Sequence, residues 1–153
     1  MTKYIKAEML KSWISDDVEL ALLDVREAGQ FGEDHMLHAI PCPYSIIETR
    51  VLYLVPRKST RLVLIDDADG TGEKAIHRLT SIGYENISIL EGGNAAWAAA
   101  GFEVFQGVNV PSKAFGELVE HAADTPRISA EQLHHMLEQD ENLVVVDGRT
   151  PME

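Results

Sequence analysis

Residues 62–79 read LVLIDDADGTGEKAIHRL. Four apolar residues lead into a loop with two glycines, and Ala75, Ile76 and Leu79 then recur at helical spacing, so the stretch predicts a strand, a loop and a helix. A helix start presents unpaired backbone N–H groups and a partial positive charge, which makes this order the usual build of an anion cradle. This loop, however, carries Asp66, Asp67 and Asp69, with Glu73 just beyond. These carboxylates compete with any bound anion. As local chemistry, Asp69 or Thr71 suits the N-cap of the helix and Glu73 its first turn.

The alternation continues outward on both sides. Leu10, Trp13 and Ile14 form the apolar stripe of a first helix, and LALLDV (20–25) is a nearly continuous apolar run of the kind a buried parallel strand shows. AGQFGEDH reads as a turn flanked by glycine, and AIPCPYS as a proline-broken piece. Ile46, Ile47, Arg50, Val51 and Leu54 mark a helix that ends before Pro56. Beyond the opening stretch, the helix stops at Gly83, residues 87–90 form a strand, and residues 94–101 form a helix with Gly101 at C′. The economical fold is an α/β domain with a parallel sheet and helices on both faces.

The chain has 153 residues, enough for one ordinary domain and a remnant. Apolar residues at 45% and charged residues at 25% match globular averages. Thirteen basic against 25 acidic residues give a formal charge of −12, which disfavours nucleic acid and anionic membrane surfaces as partners. MTKYIKAEMLKSWIS has no apolar signal core, and no apolar run approaches the roughly 18 residues that span a bilayer. A cytoplasmic protein is expected. A single cysteine, Cys42, excludes an internal disulfide framework and any multi-cysteine zinc site.

The chain also repeats itself. At an offset of 123 residues, Ile5, Ala7, Glu8, Leu10, Asp17, Leu20, Asp24 and Arg26 align without a gap with Ile128, Ala130, Glu131, Leu133, Asp140, Leu143, Asp147 and Arg149. That period is too long for a solenoid and describes a duplicated domain. One complete copy over residues 1–106, a connecting helix and linker over 107–126 that includes Pro111, and the opening of a second copy over 127–153 are expected. A second copy this short builds no core, so the sequence reads as a piece of a longer protein. LVVVD (143–147) is expected to pair with a sheet edge, in its own domain or by exchange with a second chain in a dimer.

Three motifs suggest chemistry that their surroundings do not support. Gly70, Gly72 and Ala75 fit G-x-G-x-x-A, and Glu91 stands where a dinucleotide site wants its ribose acid, but four residues, three of them aspartates, separate the strand from the first glycine. Asp67, Asp69, Thr71 and Gly72 begin an EF-hand-like order, yet the twelfth place, which needs a bidentate Glu, is Arg78. His134 and His135 are adjacent on a helix and face different directions. No metal or other cofactor is expected.

In order along the chain stand Asp24 and Arg26 at a strand end, His35 before Pro43, Gly83-Tyr84, Gly92-Gly93 and Ala96-Trp97. Over residues 3–105 this sequence resembles the rhodanese domain family, whose tandem members include sulfurtransferases. The resemblance implies a rhodanese-like α/β fold. It also implies a catalytic loop where residues 66–71 lie: a cysteine at the strand end takes sulfur from a donor such as thiosulfate and holds it as a persulfide. Asp66 occupies that cysteine's place, and Asp67, Ala68, Asp69, Gly70 and Thr71 follow as the loop. The loop length matches the sulfurtransferase type rather than the longer-looped phosphatases. A carboxylate cannot form a persulfide, so the resemblance implies an inactive unit with a structural or docking role beside neighbouring rhodanese-like domains. The alternatives are an active thiosulfate sulfurtransferase whose cysteine lies in a downstream repeat, and an acidic loop that binds a cation or a basic partner. Cys42, between two prolines and away from the loop, is expected to be buried and inert. Asp24, Arg26, His35, Gly92, Gly93 and Trp97 are expected to support the site structurally.

Overall fold

The computed structural model describes residues 3–107, 109–139 and 142–146. They fall into two compact units that divide between Lys113 and Ala114. In the first, five parallel strands lie in the order β1-β5-β4-β2-β3: β1 Tyr4–Ile5, β2 Leu20–Asp24, β3 Ile40–Pro41, β4 Arg61–Ile65 and β5 Ile87–Leu90. The helices are α1 Ala7–Ile14, α2 Ala28–Glu33, α3 Ile47–Leu54, α4 Thr71–Ser81 and α5 Gly93–Ala99, and a 3₁₀ turn over Tyr44–Ile46 precedes α3. β4, the strand of the opening stretch, is central and buried on both faces, so it reads as an unbroken apolar run.

Alternate residues of the strands feed two cores. Leu23, Leu62 and Leu64 pack with Val51 of α3 and with Ala75 and Leu79 of α4. Leu22, Val63, Ile65 and Leu90 pack on the other face with Leu10 of α1 and Trp97 of α5. The parallel sheet with helices on both faces is therefore present. Gly83 ends α4 at φ +95°, and the Tyr84 hydroxyl next to it donates to the carbonyls of Val51 and Val55 at the C-terminal end of α3.

Two local readings differ from the sequence expectation. AGQFGEDH is largely the helix α2: the Glu27 side chain caps the backbone at Gln30, whose own side chain returns to the Glu27 N–H, and Phe31 is buried, so a capping box and one anchor overcome two glycines. β1 is too short for a periodic signal and exists because Ile5 pairs beside Leu90 and sinks into the core.

The second unit contains most of α6 Val110–Ala123 and all of α7 Ala130–Gln139, which begins 123 residues after α1. Ser129 and Gln132 form a reciprocal capping box at the start of α7. Residues 143–146 are not a strand; Val144, Val145 and Val146 are exposed. This corrects the strand expected at LVVVD: among its described residues the short β-prone run has no strand structure. Asp147 and Arg149 lie outside the described residues. Among the described residues, no helix is long and apolar enough to cross a membrane.

Candidate active site loop

β4 delivers Asp66 to the C-terminal edge of the sheet, and the loop over residues 66–70 joins it to α4. Asp66 is 2% exposed. Its Oδ2 accepts the Gly72 N–H at 2.9 Å and its Oδ1 the Ala68 N–H at 3.1 Å. The helix start therefore holds an anion supplied by the protein's own chain. A Cβ at Gly72 would stand 3.0 Å from Asp66 Oδ2, so glycine there lets the carboxylate come close. The capping expectation is corrected accordingly: Gly70, at φ +84°, is the N-cap of α4, and Asp66 takes an N–H of the first turn.

The other two aspartates have partners of their own. Asp69 accepts the Thr71 N–H and hydroxyl, both at 3.0 Å. Asp67 accepts Gln30 Nε2 at 2.7 Å and Arg26 Nη1 at 3.2 Å. Arg26 thus balances loop charge that the sequence left without a cation before Lys74; the pair spans 41 residues, and only the fold brings it together. At the outer edge the Tyr4 hydroxyl donates to Glu73, linking β1 to the first turn of α4.

Behind the loop, Arg26 donates from Nε and Nη2 to Asp24, at 3.0 and 2.8 Å, and from Nη1 to Asp34 at 2.8 Å. Burial pushes the Asp24 carboxyl up, against the bonds and charge of Arg26 that pull it down. Burial acts to lower the Arg26 guanidinium, but its bonds to Asp24 and Asp34 outweigh that and hold it protonated. Asn94 Nδ2 donates to the carbonyl and carboxylate of Asp34, at 3.2 and 3.1 Å.

Gly92 and Gly93 are both left-handed, at φ +72° and +57°, and Gly93 lies directly against the Asp66 carbonyl. His35 is buried, stacks on Phe31 and has its Nδ1 3.0 Å from the Phe31 carbonyl. Trp97 donates Nε1 to the Glu103 carbonyl at 3.0 Å and packs on Phe102. Gln30, Asp34 and Asn94 were not singled out in the sequence. The E-x-x-Q spacing of Glu27 and Gln30 is a local signal for one of them; nothing local marks the other two.

Cys42 lies in the α3 and α4 core rather than in the loop, and its N–H donates to the Asp24 carbonyl. Burial pushes its thiol up to about 11. Its thiolate is therefore scarce at neutral pH, and folded protein is expected to leave an aromatic disulfide reagent unreacted at pH 8, with one thiol titrating after denaturation. Prompt reaction of the native protein would contradict this placement.

Three carboxylates are held below their ordinary range and are expected to favour the fold less in acid. Arg61 donates two bonds to Asp16 and holds it below the usual carboxylate range, and Thr71 does the same for Asp69 through its N–H and hydroxyl. Partial burial acts upward on Asp34, but bonds from Arg26 and Asn94 outweigh it and hold Asp34 low. Each binds its proton more weakly folded than unfolded. Its stabilisation is complete above the unfolded value of about 4 and is lost as pH falls through the lower folded value. Asp24 acts in the opposite sense. The Tm of Asp34→Asn should fall less steeply than that of the wild type between about pH 5 and about pH 2.5; parallel slopes would remove Asp34 from this account.

A five-stranded parallel sheet with helices on both faces, and a strand-end residue seated in the loop that leads into α4, define an α/β fold with its candidate site at the C-terminal edge of the sheet. The family model of the rhodanese-like domain matches residues 6–100, and the chain belongs to that family. It is similar to Protein HIGH ARSENIC CONTENT 1, mitochondrial, of Arabidopsis thaliana, at 33% identity over a 90-residue alignment that covers 52% of this chain and 53% of that protein. A second relative, Uncharacterized protein slr1261 of Synechocystis sp., is 34% identical over 90 residues, 59% of this chain and 49% of that one. The chain spans about half the length of these curated relatives. Among solved structures, the thiosulfate sulfurtransferase from Pseudomonas aeruginosa superposes with a TM-score of 0.83 at 39% identity, covering 90% of this chain and 26% of that chain.

Proposed function

We propose that the first unit is a non-catalytic rhodanese-like domain of a tandem sulfurtransferase-family protein, with a structural or docking role beside neighbouring domains of the same kind. The observation that carries this reading is the Asp66 carboxylate bound to the Ala68 and Gly72 N–H groups. Sulfur transfer needs a thiolate there that attacks the outer sulfur of thiosulfate while sulfite leaves with the bonding electron pair. Asp66 has no sulfur to extend, and it already engages the N–H groups that would otherwise meet the donor's charge. Tandem organisation is supported by the repeat at offset 123, by the matching start of α7, and by the match covering only 26% of the Pseudomonas aeruginosa chain. Any thiosulfate sulfurtransferase activity of a whole protein would then reside in another repeat that has the cysteine.

The test is thiosulfate:cyanide turnover. Wild type and Cys42→Ala are expected at the uncatalysed rate, whereas Asp66→Cys incubated with thiosulfate should gain the mass of one sulfur atom. Turnover by the wild type above that of Cys42→Ala would overturn the inactive reading. A folded Asp66→Cys protein that never accepts sulfur would show that the missing nucleophile is not the whole explanation.

A further inference from the structure

At the opposite end of the sheet from Asp66, β2 is only half covered. It pairs with β4 at all five residues from Leu20 to Asp24, but with β3 only at Leu23 and Asp24. The cause is the path of the chain: residues 36–39 turn back, closed by the Ala39 N–H on the Met36 carbonyl, so β3 comes alongside only at Ile40. Backbone groups alternate sides along a strand, and the Asp24 carbonyl accepts the Cys42 N–H on the β3 side. Leu22 and Leu20, two and four residues earlier, therefore direct backbone groups to that side; the register gives the Leu22 carbonyl to the Ile40 N–H, and among the described residues no strand covers the Leu22 N–H or Leu20.

A cavity of about 470 Å³ occupies this notch, with Trp13, Ile14, Leu54 and Val55 among its apolar walls. Thr60 also lines it; the residue is 4% exposed, and its Oγ1 is buried without a hydrogen-bond partner among the described residues. Two acidic residues line the mouth. Glu19 is paired with Arg57, while Asp17 is exposed and makes no ion pair among the described residues.

We propose that this notch is a strand-addition site for an extended segment of a partner protein, with aliphatic residues at its centre and lysine or arginine at its flanks. Open strand edges pair with peptide backbone, and a side-chain pocket beside the edge selects the residue that enters it. The cavity walls admit aliphatic side chains, and Asp17 with the chain's charge of −12 favours basic flanks. The site uses no residue of the Asp66 loop, so it stands whether or not the first unit is catalytic.

The test is a titration of the ¹⁵N-labelled full chain with acetylated, amidated Lys-Val-Ile-Val-Lys. The Leu20 and Leu22 amides are expected to shift, and to exchange roughly tenfold more slowly at saturation. Of two peptides with proline at the second or third position, at least one should lose binding, because one of them removes a donor facing β2. Asp17→Asn, which keeps a residue tolerant of the φ of +58° at this position, should weaken binding about threefold. No shift at millimolar peptide would overturn the proposal, as would equal binding of Glu-Val-Ile-Val-Glu. The same shifts with butylamine alone, without amide protection, would assign the cavity to a small amine instead.

Discussion

Arg26→Ala is expected to destabilise the first unit by about 3–5 kcal/mol, the range for removing one partner of a buried ion pair. The side chain is 5% exposed and Asp24 is fully buried, so the alanine leaves a carboxylate held only by the residue 26 backbone N–H. Asp34 and Asp67 lose their cation in the same step. Against a total stability of roughly 5–15 kcal/mol, that loss is a large fraction. Urea unfolding of the variant measures it directly. Arg26→Lys should recover less than half, because an ammonium cannot fork to Asp24 while reaching Asp34. Asp24→Leu combined with Arg26→Met should lie closer to wild type than Arg26→Ala, since a buried pair is often replaceable by apolar volume. A cost below about 1 kcal/mol for Arg26→Ala would mean that water reaches Asp24 and compensates it.

Gly93→Ala should cost a similar amount, on the order of 3–5 kcal/mol, through backbone collision. Its Cβ would stand 2.0 Å from the Asp66 carbonyl oxygen, at φ +57°. No rotamer relieves this, because the obstacle is main chain, so α5 and the loop must separate. Gly83 and Gly101 are also left-handed, at +95° and +84°, but a Cβ at either meets nothing within 4 Å. Alanine at those two positions should cost only about 1 kcal/mol, the conformational share alone. Thermal unfolding of the three variants separates collision from conformation, and equal losses would refute the close approach.

Much of the fold was legible in local pattern. The apolar runs at 20–25, 62–65 and 87–90 are strands β2, β4 and β5, because strands buried on both faces need no polar alternation. Gly101 ends α5 as expected, at φ +84°. The turn assigned to AGQFGEDH failed for the reverse reason: two glycines signalled a break, while the Glu27 and Gln30 capping box and the burial of Phe31 decided for α2. β1 and β3, with two residues each, are too short to leave a periodic signature.

The candidate site divides along the same line. Sequence by itself determined the alternating α/β order, the Asp66 loop at a helix start, the Gly-Gly pair after β5 and the repeat at offset 123, because each is written in neighbouring residues or in a direct self-comparison. Only the tertiary structure decided what the acidic residues do. It turned Asp66 inward onto one N–H of the loop and one of the first turn of α4, gave Asp67 to Arg26 and Gln30, and set Gly93 against the Asp66 carbonyl. Those partners lie 27 to 41 residues away from one another along the chain, except for the local bonds of Asp66. Charge counted along a sequence predicts repulsion; where each carboxylate ends is set by the donors that packing brings within about 3 Å.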